Sequence, residues 1–145
     1  MKERHKTNSV VFLILLRQTD GAKEILLQLR QNTGYMDDMW DMAVSGYVEK
    51  EERLENALIR EAKEEINIGL DKNSISFVSL DHKEKENYYN FFFVCDNFEN
   101  VPIIMEPDKC ARLQWFDLTN LPDNIIDHSK RAISRLLFQT VYEIH

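Results

Sequence analysis

A chain of 145 residues has room for one domain with a real core and is short for two ordinary ones. Its 43% hydrophobic and 30% charged residues exclude a disordered chain. A net charge of −7 argues against broad nucleic-acid binding, which needs a basic face; an acidic protein that handled phosphates would recruit cations to do so.

The segment MKERHK followed by VVFLILL has the charged-then-apolar order of a secretion signal. The apolar run from Val10 to Leu16 is short, however, Arg17 closes it, and no small-residue cleavage site follows. It is rich in β-branched and aromatic residues and continuous enough to predict a strand buried on both faces. No other stretch approaches the roughly 20 apolar residues of a membrane span, so a cytoplasmic protein with no membrane partner is expected. Cys95 and Cys110, without a CxxC pair, suit a reducing compartment.

Turn chemistry over Gln18–Lys23 separates this strand from a second, Glu24–Arg30. After a break at Gln31–Tyr35, the alternation of Trp40, Met42 and Val44 predicts a short strand ending at Gly46. Leu54–Ile66 has no Gly or Pro and carries apolar residues at helical spacing, and Asn67 and Gly69 are stop signals. Strands are predicted over Ser74–Leu80, Tyr88–Cys95 and Arg112–Leu118, with a turn or short helix from Pro122. A last amphipathic helix is predicted from Ser129 to Glu143, with Ile133, Leu136, Leu137, Thr140 and Val141 on one face. This order fits an α/β fold, a mixed sheet covered by helices on both faces, with no linker or repeat.

On the first helix, Leu54, Ala57, Leu58 and Ala62 define the apolar stripe, and Glu61 and Glu65 project from within it. Glu64 lies at its edge, while Arg53, Asn56, Arg60 and Lys63 take the opposite face. Acidic groups in a packing direction are costly without compensation, and a hard divalent cation is one form of it. An exposed helix decorated with charge pairs is the competing reading of the same residues.

The wider stretch GYVEKEERLENALIREAKEEINI resembles the signature of the Nudix (MutT-like) hydrolase family. That signature reads Gly, five residues, Glu, seven residues, then Arg-Glu-apolar-any-Glu-Glu-any-Gly-apolar. Gly46, Glu52, Arg60, Glu61, Ala62, Glu64, Glu65 and Ile68 stand at its positions, and Asn67 replaces its second Gly. Asn is the next-best residue for a left-handed turn, so the departure should cost little.

The resemblance implies one Nudix domain over residues 1–145, an α/β/α sandwich. It implies Mg2+ or Mn2+ held by Glu61, Glu64 and Glu65 with the Gly46 carbonyl, and a supporting Glu52–Arg60 pair. Relatives cleave a nucleoside diphosphate linked to another group by water attack on phosphorus, with a carboxylate taking the proton. For that base or an added ligand, Glu106 of the EPDKC loop is the first choice, Asp108 the second, and Glu84 or Glu86 a further alternative. Tyr35 and Trp40 are candidates for stacking on a base, Asn124 for reading one and Arg30 for meeting a phosphate; each also has an ordinary structural explanation.

The expected activity is a pyrophosphohydrolase acting on small-molecule nucleotides. RNA 5′-pyrophosphohydrolase chemistry and a non-catalytic nucleotide sensor are the alternatives. Isomerase chemistry, prompted by WDMAVSGYV, lacks a convincing His/Cys arrangement. The resemblance also allows a homodimer built through exposed strands.

Overall fold

The structure, a computed structural model, describes residues 2–144. Its elements are β1 (Asn8–Thr19), β2 (Ala22–Arg30), β3 (Trp40–Met42), β4 (Val44–Tyr47), α1 (Leu54–Ile66), β5 (Gly69–Leu70), β6 (Ser76–Lys83), β7 (Tyr88–Cys95), β8 (Phe98–Glu99), β9 (Cys110–Asp117), α2 (Asp127–Phe138) and β10 (Tyr142–Ile144).

β1 organises the sheet. It runs parallel to β7 (Val10↔Asn90, Phe12↔Phe92) and antiparallel to β4 (Val10↔Tyr47, Phe12↔Ser45). Its last residues pair antiparallel with β2, which carries β3 and β9. Beyond β7 lie β6, antiparallel, and β10, parallel to β6. The sheet is therefore mixed, as expected.

The continuous apolar run of β1 has a direct structural cause. Val11, Leu13 and Leu15 pack in the cluster that includes Ala57, Leu58, Ala62 and Ile66 of α1. Phe12, Ile14 and Leu16 pack in the opposite cluster with Ala132 and Ile133 of α2. One strand thus supplies both cores, and a helix covers each face.

α1 ends where the sequence indicates. Asn67 adopts left-handed φ 58°, and its N–H and that of Ile68 return to the carbonyls of Lys63 and Ala62. Other boundaries differ. The alternation at Trp40–Val44 belongs to two strands, β3 bound to β2 and β4 bound to β1, because the chain changes partner at Ala43. Lys72–Ser74 is a short 3-10 turn, so β6 starts and ends later than expected.

The C-terminal helix is shorter than the predicted Ser129–Glu143. Gln139 turns left-handed, with φ 57°, and Thr140 and Val141 leave the helix. The chain then pairs with the free edge of β6, where Tyr142 lies opposite Leu80. Glu143 secures this strand through Arg131 Nη2 (2.9 Å) and Arg135 Nη1 (2.6 Å) of α2. Among the described residues, no helix is long and apolar enough to cross a membrane.

Candidate active site

α1 is fixed by its apolar stripe, and that fixes where its carboxylates can go. Ala57, Leu58, Ala62 and Ile66 are buried against the sheet, so Glu61 and Glu65 lie beside β4. Glu65 accepts a hydrogen bond from the Ser45 N–H at 3.1 Å. Burial pushes its carboxyl well above the ordinary value of 4.5, reinforced by the charges of Glu61, Glu106 and Asp41 and only partly opposed by Ser45. Glu61 is also raised, again chiefly by burial, although Arg60 pulls the other way. Glu64 stands more open, its side chain 57% exposed.

Gly46 is required here by contact rather than by backbone angle. A Cβ at this position would collide with the Glu61 carboxyl group, and it would stand 2.6 Å from Glu61 Cγ. The absent side chain lets β4 close on the helix and leaves the Glu61 carboxyl its place beside the strand.

Arg60 braces the loop before α1. Its Nε–H donates to Glu52 Oε2 at 2.9 Å and its Nη2 to Glu52 Oε1 at 3.0 Å, a two-pronged pair. Further donors reach the Tyr47 carbonyl (3.2 Å) and Glu61 Oε1 (2.7 Å). The hydrogen bonds from Arg60, helped by the Glu49 N–H, lower the Glu52 pKa to about 2.

Glu106 arrives from a distant part of the chain. The Ile103 and Met105 N–H groups donate to the carbonyls of Ile66 (3.0 Å) and Glu65 (3.1 Å), strapping this segment to the end of α1. The backbone then turns back, with Lys109 and Cys110 N–H both meeting the Glu106 carbonyl at 3.0 Å. Glu106 thereby shares one cleft with Glu65 and Gly46, a cavity of about 690 Å³. Asp108 is exposed and outside its lining, as is Glu84, while Glu86 reaches the cleft from the β6–β7 turn.

The predicted substrate residues divide. Arg30 and Tyr35 line the cleft. Arg30 is engaged internally, donating to the Tyr35 carbonyl (2.8 Å), Thr33 Oγ1 (3.0 Å) and Asp41 Oδ2 (3.3 Å). Tyr35 stays open, with the Arg30 guanidinium 5.5 Å from its ring centre. Trp40 and Asn124 are not part of the cleft. Trp40 is buried in the α2-side core, edge-on to Phe116 at 4.8 Å, because β3 is held between β2 and the segment before α2. The Asn124 amide donates to the Asp38 carbonyl at 2.9 Å, fastening that segment.

Several lining residues escaped the sequence reading: Gln28, Asp41, Lys83, Tyr88, Asn90 and His128. Asn90 had a visible signal, one amide within YYNFFFVC. Asp41 is buried and accepts from the Met42 N–H (2.8 Å), Ser129 Oγ (2.7 Å) and His128 Nε2 (2.8 Å). Burial pushes its carboxyl up, but His128, Ser129 and Met42 outweigh that and hold it below the ordinary range.

Among the described residues, no three His, Cys, Asp or Glu side chains converge as a closed metal cage, and Glu61 rests on Arg60. The donor set nevertheless fits a hard cation. It is all oxygen, its half-buried carboxylates are penalised for their charge, and the missing Cβ of Gly46 gives the Glu61 carboxyl room beside the strand.

The family model described as NUDIX domain matches residues 7–137. The chain belongs to the Nudix family. A curated Nudix relative, putative nudix hydrolase 1 of Caenorhabditis elegans, is 29% identical over 140 residues. That match takes in 95% of this chain and 37% of the relative, so the chain spans little more than a third of that protein's length. Among solved structures, the MutT NUDIX hydrolase of Burkholderia pseudomallei superposes with a TM-score of 0.78 at 24% identity, over 91% of this chain and 99% of that one. A bifunctional NMN adenylyltransferase/ADP ribose pyrophosphatase of Francisella tularensis, complexed with AMP and a manganese ion, superposes with a TM-score of 0.69 at 19% identity. It covers 92% of this chain and 42% of that one. At these identities the likeness is one of fold, the Nudix α/β/α sandwich.

Proposed function

We propose that the chain is a metal-dependent pyrophosphohydrolase, cleaving nucleoside triphosphates or related nucleoside diphosphate-linked compounds by water attack on phosphorus. The observation that carries this reading is that Gly46, Glu65 and Glu106 line one cleft, with the Glu61 carboxyl packed against Gly46 and close enough to Glu106 to feel its charge. Magnesium or manganese would be held by Glu61, Glu64, Glu65 and the Gly46 carbonyl, and when bound would neutralise phosphate oxygens and the leaving group. Glu106, on the segment strapped to the end of α1, accepts the proton of the attacking water. Arg60, through Glu52, keeps the loop and the helix in register so that the carboxylates stay in place. Tyr35 and Arg30 line the same cleft, offering an aromatic face and a cation to the remainder of the substrate. The Francisella tularensis relative, with its AMP and manganese, supports both the ligand class and the metal. Cys95 and Cys110, buried and unpaired, fit a reducing cytoplasm.

The test is turnover. The protein is incubated with magnesium and nucleoside triphosphates, dinucleoside polyphosphates, nucleotide sugars or triphosphorylated RNA, and the phosphate products are separated by ion chromatography. Glu64→Gln should lower the rate about a hundredfold or more with circular dichroism unaltered. Absence of turnover on every substrate, or a near-normal Glu64→Gln enzyme, sinks the proposal.

A further inference from the structure

Pro107, Asp108 and Lys109 form the turn that follows Glu106, and their three successive carbonyls all accept hydrogen bonds from two adjacent residues elsewhere in the chain. Gln31 Nε2 donates to the Pro107 carbonyl at 2.7 Å, and Asn32 Nδ2 to the Asp108 carbonyl at 3.0 Å. The Gln31 N–H donates to the Lys109 carbonyl at 3.0 Å. The side-chain partners stand 76 positions apart in sequence. An exposed turn needs no such help, because water satisfies its carbonyls about as well. Three protein donors in a row do what water cannot: they fix the orientation of the turn, and with it the backbone of Glu106.

The donors come from a loop that is itself held as one body. β2 and β9 pair as far as Arg30 and Cys110, after a register shift between Leu29 and Arg30. The loop after Arg30 then continues against the turn before Cys110. Asn32 sits at left-handed φ 53°, a conformation that Asn adopts at little cost. Asp37 accepts from the N–H groups of Thr33 (3.1 Å) and Gly34 (3.0 Å), while Arg30 donates to the Tyr35 carbonyl and Thr33 Oγ1. Asn32, Thr33 and Tyr35 line the cleft together with Glu106 and Lys109, whereas Gln31 does not.

We propose that Gln31 and Asn32 are positioning residues for the hydrolysis, their amides setting where the Glu106 carboxylate stands in the cleft. This rests on the reading of Glu106 as the acceptor of the water's proton. Both residues act through the backbone carbonyls of the turn. The loop that presents Thr33 and Tyr35 to the cleft is therefore also the loop that grips the base, and its displacement moves both. Placement matters because about 1 Å of error at a reacting centre costs about a hundredfold in rate. Gln31 isolates the effect. Its side-chain amide is spent on Pro107 and it lies outside the cleft lining, so replacing it takes nothing from the substrate. Loss of Glu106 alignment then lowers kcat and leaves KM unchanged.

The experiment compares the wild type with Gln31→Met, which keeps the side chain's length without its donor, and Asn32→Gly, which keeps the left-handed backbone. Steady-state kinetics use the best substrate of the turnover panel, in the native and in the Glu106→Gln background. Each variant should lose about fivefold or more in kcat, the worth of one hydrogen bond, with KM in Gln31→Met held within about twofold. In the Glu106→Gln background the same changes should cost less than about twofold, since residues acting through one group are not additive. A purely structural role gives the same loss in both backgrounds, and that result overturns the proposal. An unchanged kcat, or a Gln31→Met loss confined to KM, overturns it too. Hydrogen exchange at the Lys109 and Cys110 N–H groups needs no turnover. It should quicken by about fivefold or more in either variant while the amides of α1 keep their rates. Unchanged exchange also overturns the proposal. A chain that hydrolyses nothing yet shows faster exchange sinks the hydrolase reading and leaves Gln31 and Asn32 as the holders of the turn.

Discussion

At Gly46, one missing methyl group decides where Glu61 stands. The space a Cβ would fill is already taken by the Glu61 carboxyl, which also carries a charge-assisted hydrogen bond from Arg60. Gly46→Ala must therefore move either β4 or the Glu61 side chain. The side chain is the softer of the two, because β4 is locked into the sheet by its pairing with β1. The expected result is a fall in kcat of about a hundredfold, the cost of roughly 1 Å of misplacement at a reacting centre. Stability should drop by only about 1–3 kcal/mol, the usual range for overpacking. Steady-state kinetics beside urea unfolding would check this. A variant that keeps its kcat would show that Glu61 need not occupy this position.

At the scale of the element, α1 shows how local signals can define a helix and where they stop. Its bounds agree with the sequence reading because its apolar period is unbroken and Asn67 supplies the left-handed stop, at φ 58°. Asn67→Gly should change stability by no more than a few tenths of a kcal/mol, and Asn67→Ala should cost about 1 kcal/mol through the same backbone angle. Equal stabilities of the Ala and Gly variants in chemical denaturation would contradict this account of the cap. β7 was equally legible, since YYNFFFVC offers no competing structure. α2 was not. Thr140 and Val141 continue its apolar period, whereas the stop lies at Gln139, a residue with no turn signature, and depends on the edge of β6 and on Glu143. Glu61, Glu64 and Glu65 could be named together as candidates because one helix holds them all. Trp40 and Asn124 were misplaced because only tertiary pairing of β3 with the segment before α2 buries one and ties down the other. His128 gave no local sign, as its partner Asp41 lies far away in the chain.

For the whole molecule, an acidic chain that gathers several carboxylates in one cleft carries a cost that should be visible in its pH dependence. Glu61 and Glu65 hold protons more tightly folded than unfolded. Their favourable contribution is fully present below the ordinary value of 4.5 and is lost as the pH rises through their raised folded values. Glu52 acts with the opposite sign: its stabilisation is present above 4.5 and is lost as the pH falls towards about 2. In chelator, the melting temperature should therefore decline as the pH climbs above the ordinary carboxylate range. A divalent cation that binds the ionised carboxylates reverses that slope, since its affinity rises as protons leave and it binds only the folded chain. At about a hundred times its Kd it adds about 2.7 kcal/mol, a shift of about 5 °C or more for a domain of this size. Thermal melts in chelator and in magnesium, at about pH 5 and about pH 8, measure both effects. The magnesium shift should be larger at the higher pH and absent when Glu61→Gln and Glu64→Gln are combined. A shift that is independent of pH, or that survives the double substitution, would place the cation elsewhere on this acidic surface.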